Sequence, residues 1–185
     1  DRLRALVGPS VPLWATEGNV LGASVSMLTP PAPFAAPNVE RDAAAVTAWA
    51  TDLLAAKTER VFVYELVESS YYSDSDLSLL DPDGTPRPAA AALATLAYEL
   101  GARRYLRTVR WKTGQARIFV ARNGTTGSSL AVLYDAALTP LELPRKLRAR
   151  SRDCWGAPLL ASEHPRLVYV EADTLDQLLR LLRVR

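Results

Sequence analysis

The chain has 185 residues, 49% hydrophobic and 23% charged, with a formal net charge of +2, one Cys and one His. That length allows one domain or two small ones, and the near-neutral charge gives no bulk electrostatic case for nucleic acid. Cys154 and His164 are too few ligands for a zinc site, a lone Cys excludes an internal disulfide, and no apolar run of roughly 18 residues exists to span a membrane.

Residues 1–7 read as the end of a helix stopped by Gly8 and Pro9. No signal peptide is visible. The chain begins with Asp1, so it reads as trimmed, processed or cut from something longer, and a secreted or periplasmic home is left open. Residues 11–16 read as a buried strand ending in Thr16, Glu17 and Gly18, which puts a carboxylate where strand meets loop. Residues 18–38 are broken repeatedly by Pro and Gly and read as a long loop. Asn38 is the expected N-cap of the next helix, with Glu40 and Asp42 in its first turn, where they favour the helix dipole. Ala45, Val46, Trp49, Leu53 and Leu54 fall on one helical stripe. Residues 60–67 form a second apolar strand, completing a strand–helix–strand unit of the kind that builds parallel sheets.

Residues 68–88 are a second long loop, rich in Ser, Asp and Pro. Residues 89–100 are strongly helical, and Gly101 closes them. The apolar period then changes from 3.6 to 2. Residues 105–111, 116–122 and 129–134 read as strands joined by hairpin turns at 112–114 and 123–127. Further strands are expected near 140–147 and 167–171. A short amphipathic helix, residues 174–182, ends the chain. Helices alternate with strands up to Gly101 and strands dominate after it.

The spacing of Pro12, Trp14, Thr16, Glu17 and Gly18 resembles the strand-seven signature of the large clan of retaining glycoside hydrolases with a (β/α)8 barrel. The later run from Leu79 through Asp81, Asp83, Gly84 and Pro86 to Pro88 is similar to the segment after strand eight that leads into the last helix. The resemblance implies an α/β plus all-β fold. Residues 1–101 would be the last strands and helices of a (β/α)8 barrel, 102–172 an antiparallel β-sandwich in which Asp153, Cys154, Trp155 and Gly156 make a strand-joining turn before a final strand at 167–170, and 173–185 a C-terminal helix. A whole barrel takes roughly 200 residues or more, so only its final part fits here. The resemblance also implies an oligo- or polysaccharide substrate and an upstream part of the same barrel as partner; no cofactor, metal, nucleic acid or membrane is expected.

Retaining glycosidases use a nucleophilic carboxylate and an acid/base carboxyl about 5–5.5 Å apart. The resemblance makes Glu17 the nucleophile. The acid/base of that clan follows strand four, usually behind an Asn; this chain has no Asn-Glu pair, which puts that residue on upstream sequence. The plain alternative for Glu17 is a surface loop carboxylate. Glu65 and Glu68 follow on or after the next strand and can approach Glu17 if the strands are neighbours; a salt bridge is their bland reading, and the preferred one for Glu68. Tyr64 stands near the usual place of a sugar-stacking Trp, and Tyr71 and Tyr72 can replace that platform or simply pack the loop. Trp14 reads as core and is also counted with Tyr64, Glu65, Tyr71 and Tyr72 among the candidate substrate-binding residues. Trp49, Trp111 and Trp155 read as core.

Arg103, Arg104, Arg107 and Arg110 read as a solvated strand face rather than a nucleic-acid face. Asp74, Asp76, Asp81 and Asp83 fit no EF-hand spacing and read as turn chemistry. The rival to the hydrolase reading is a non-catalytic carbohydrate-binding or structural module derived from such a barrel.

Overall fold

A computed structural model of the chain describes residues 5–6, 8, 10–16, 39–63, 66–67, 79–81, 83–111, 114–121 and 127–182. Two short strands, β1 (Trp14–Ala15) and β2 (Arg60–Val61), pair in parallel, with Trp14 opposite Arg60 and Ala15 opposite Val61. Helix α1 (Val39–Ala55) lies between them in the chain, so the strand–helix–strand unit is present. Both strands are shorter than the expected 11–16 and 60–67. Beyond Val61, the described part of the second run contributes one isolated parallel bridge, from Val67 to Leu80.

Glu40 and Asp42 occupy the first turn of α1, as the dipole favours. The buried set is Ala43, Ala44, Val46, Thr47, Ala48, Ala50 and Thr51; of the expected stripe Val46 is buried, and Trp49 and Leu54 are partly buried against the core. Small side chains let the helix be covered on more than one side. The Thr47 and Thr51 hydroxyls donate to the carbonyls four residues back, at 2.8 and 2.7 Å, so neither is orphaned by burial. Helix α2 (Pro88–Leu100) starts with Pro in its first turn, where no N–H is missed, and ends at Gly101, whose φ of 48° suits glycine. It packs along α1.

The rest of the chain builds one antiparallel sheet. Its strands are β3 (Arg103–Trp111), β4 (Gly114–Ala121), β5 (Ser129–Tyr134), β6 (Ser151–Arg152) and β7 (Leu167–Ala172), in the order β3-β4-β5-β7-β6. Two short helices, α3 (Arg145–Arg148) and α4 (Leu175–Leu182), accompany it.

Both faces of this sheet are covered. On one, Phe119, Leu130, Val132, Tyr134, Leu167 and Tyr169 meet Ala43, Ala44 and Ala48 of α1 and Ala92, Leu96 and Leu100 of α2. On the other, Ile118, Val120, Ala131, Leu133, Val168 and Val170 meet Leu141, Leu143, Leu147, Leu178 and Leu182. All six residues of β5 are buried, which explains why Leu130 to Tyr134 reads as a nearly unbroken apolar run rather than an alternation.

Three sequence expectations need correcting. A second sheet facing the first does not occur among the described residues; helices and the 138–147 segment cover both faces instead. Residues 140–147 are not a strand. Leu141 and Leu143 are buried at strand-like spacing, but Pro140 and Pro144 offer no ladder N–H, and the segment turns into α3. Trp155 is 36% exposed and Trp14 51% exposed, so neither is core, whereas Trp111 is buried at 4%.

Candidate functional site

Parallel pairing makes β1 and β2 point the same way, so the chain leaves Ala15 and Val61 at one end of the small sheet. The pairing is closed by main-chain bonds from Glu59 to Leu13 at 2.8 Å and from Phe62 to Ala15 at 2.9 Å. Thr16 continues from that end, and Glu17 is next in sequence. Glu17, Tyr64, Glu65, Tyr71 and Tyr72 lie outside the described residues, as do Glu68, Asp74, Asp76 and the expected N-cap Asn38.

Trp14 is the described member of the candidate set. Its half-exposed ring meets Phe62 at 6.3 Å between centroids, tilted 47°. The Arg60 guanidinium carbon lies 4.8 Å from the indole centroid, a cation–π distance. Neither Arg60 nor Phe62 stood out in the sequence. The signal was the register itself: Arg60 is the cross-strand partner of Trp14, and that follows only once the strands are paired.

Two polar clusters tie this region to the large sheet. Asp52 near the end of α1 accepts from the Arg117 guanidinium of β4, at 2.6 and 2.9 Å, and from the Tyr134 hydroxyl of β5. Burial, followed by the Asp52 contact, pushes the Tyr134 hydroxyl well above its ordinary range, so it stays a donor. Glu99 of α2 pairs with Arg152 of β6 at 2.6 Å, and Arg152 also reaches Glu171 of β7 at 3.3 Å. Glu171 in turn pairs with Arg103 of β3. Arg103 thus leaves the expected solvated face, while Arg104, Arg107 and Arg110 are exposed.

The 79–88 segment is a closed turn. Gly84 has φ of 85° and donates to the Asp81 carbonyl at 2.8 Å, while Asp81 donates back to Thr85 at 2.9 Å. The Asp81 carboxylate pairs with Arg87 at 2.8 Å, and Asp83 accepts from the Thr85 amide at 2.8 Å, which draws its pKa below the ordinary value. These two aspartates serve the turn. Among the described residues no group of three or more His, Cys, Asp or Glu is arranged to hold a metal ion. No described helix is long and apolar enough to cross a membrane.

No protein-family profile matches this sequence. No curated protein matches it either. Among solved structures it is similar to a family 39 glycoside hydrolase from the gut symbiont Bacteroides cellulosilyticus WH2, at 15% identity and a TM-score of 0.57. The match covers 94% of this chain and 35% of that protein, so the chain spans about a third of its length. At that identity the likeness concerns the fold, a mixed α/β arrangement with a five-stranded antiparallel sheet.

Proposed function

We propose that the chain is the last part of a retaining glycoside hydrolase cleaving O-glycosidic bonds, with Glu17 as nucleophile and the acid/base on the upstream part of the barrel. The observation that carries this reading is the parallel pairing of β1 with β2 across α1. Barrel enzymes hold their chemistry at the carboxyl ends of parallel strands, and Glu17 comes after Thr16 beyond that end of β1 in the sequence. The motif around Trp14 and the fold likeness to a family 39 glycoside hydrolase support it. In this reading residues 1–101 belong to the catalytic barrel and 102–172 to an ancillary β domain followed by the terminal helix. An oligo- or polysaccharide is the substrate. Trp14 offers an apolar face for a sugar ring, and Arg60 above it offers donors for sugar hydroxyls. Tyr64, Glu65, Tyr71 and Tyr72 complete the substrate-binding set.

The test is Glu17→Ala in the protein carrying this chain with the rest of its barrel. Hydrolysis should fall by at least about a thousandfold, and azide should restore cleavage of activated aryl glycosides with inverted stereochemistry, because a small anion fills the vacated position. Near-normal turnover in that variant would remove Glu17 from the mechanism and favour the non-catalytic module.

A further inference from the structure

The two halves of the chain carry opposite charge. Residues 1–101 hold 13 Asp and Glu against 6 Lys and Arg, and residues 102–185 hold 7 against 16, so the near-neutral total hides a net −7 and a net +9. Such an asymmetry points to a polyanionic partner for the basic half.

Part of that positive charge is spent within the fold. Arg103, Arg117 and Arg152 pair with Glu171, Asp52 and Glu99, and Arg148 and Arg166 donate to main-chain carbonyls. Arg104 and Arg107 differ. Both are exposed, and neither has a hydrogen bond or ion pair among the described residues. They stand on β3, the outermost strand, which pairs only with β4. The register sets Arg104 opposite Val120 and Arg107 opposite Ile118. Val120 and Ile118 both belong to the face covered by Leu141 and Leu178. Residues directly opposite each other share a face, so the two arginines do as well. Three positions apart in an unbroken strand they would fall on opposite faces. The register shift between Tyr105 and Arg107 inserts the extra residue that brings them onto one. Arg110, opposite Gln115, belongs to the other face.

Two exposed guanidinium groups along a sheet border suit a chain that carries negative charge along its length. An added peptide strand would have to follow the bend that the bulge makes in β3. A single-stranded nucleic acid calls for aromatic rings on which bases stack. The ring between the two arginines, Tyr105, lies opposite Phe119 on the other face, with its hydroxyl held by Thr108 at 2.7 Å. We propose that the β3 border binds an anionic polysaccharide through Arg104 and Arg107, which take its carboxylate or sulfate groups. The choice of a carbohydrate rests on the hydrolase reading above; the charge and the register do not.

The test reads binding rather than turnover. In the whole protein carrying Glu17→Ala, calorimetry follows polygalacturonate, heparin, neutral dextran and single-stranded DNA at low and high salt. Polygalacturonate or heparin should bind, more weakly as salt rises, and dextran should not; the tighter of the two tells carboxylate from sulfate. Arg104→Gln with Arg107→Gln should weaken that binding at least about tenfold and flatten its salt dependence. Arg145→Gln with Lys146→Gln removes the same charge from exposed positions on α3 and should weaken it less than about twofold. Circular dichroism checks that both double variants fold, as exposed substitutions should. Equal losses from the two pairs would overturn the proposal, since net charge alone would then explain the binding. Binding of neither polyanion, equal binding of dextran, or tighter binding of the DNA than of heparin would overturn it too. A protein that hydrolyses glycosides without this binding sinks this proposal alone, and one that binds without ever hydrolysing sinks the hydrolase reading alone.

Discussion

Asp52 on α1 and Arg117 on β4 meet through one carboxylate oxygen, which lies 2.6 Å from one guanidinium nitrogen and 2.9 Å from another. The pair joins the helix of the parallel unit to the antiparallel sheet. The Arg117 side chain is 19% exposed and that of Asp52 45%, so the pair is only partly screened. Asp52→Ala would leave the guanidinium and the Tyr134 hydroxyl without this partner. We expect a loss of about 1–2 kcal/mol, between the values for exposed and buried pairs. Urea unfolding at constant m-value measures it, and a loss under about 0.3 kcal/mol would show that water replaces Asp52 at no cost.

Glu171 predicts an acid sensitivity. Burial raises its pKa, but the Ser128 hydroxyl and the charges of Arg103 and Arg152 outweigh that, so it titrates below its ordinary value of 4.5. A lowered pKa in the folded state adds stability above about pH 4.5 that is lost as the pH falls below it. Glu171→Gln should therefore flatten the acid limb of the stability curve relative to the parent protein. Parallel acid limbs in the two proteins would contradict this.

Cys154 predicts the opposite limb. Burial, then the negative charges of Asp153 and Glu40, push its thiol from an ordinary 9.0 up to about 12. A raised pKa contributes stability that is complete below about pH 9 and is lost as the pH climbs toward 12. Cys154→Ala should shallow that alkaline decline. In the folded protein the thiol should also react with a disulfide reagent far more slowly than in urea. Equal rates in the two states would mean that it is accessible and ionised.

Gly114, which opens β4, carries a steric prediction. A Cβ there would sit 2.6 Å from the Tyr134 carbonyl oxygen and 3.1 Å from its carbon, both main chain. Gly114→Ala must push β4 away from β5 and should cost about 1–3 kcal/mol, the usual range for overpacking. Thermal unfolding at matched pH measures it, and an unchanged midpoint would mean that the strand end yields freely.

Much of this architecture was readable in advance because local signals and packing agree. The helix expected over 89–100, its Gly101 stop and the 129–134 strand are set by residues whose backbone preferences leave few alternatives. Residues 140–147 misled because Leu141 and Leu143 alternate as a strand does; burial there comes from covering the sheet, not from joining it. The layer over that face was hidden for the same reason, since period 2 reports a covered face without naming what covers it. Of the candidate site, the direction of β1 and β2 followed from the helix between them. The stacking of Arg60 on Trp14 depends on a pairing register that two-residue strands do not encode on their own.

The register shift between Tyr105 and Arg107 bears on how copies of this chain behave together. It kinks the outermost long strand of the sheet, on which Arg104, Arg107 and Arg110 are exposed. The opposite margin is only the two residues of β6, bridged to Pro158. A bent, cationic border repels its own duplicate, and a two-residue border gives an incoming strand almost nothing to grip. Concentrated solutions of the chain should therefore resist growth by strand addition, leaving each sheet at its own five strands.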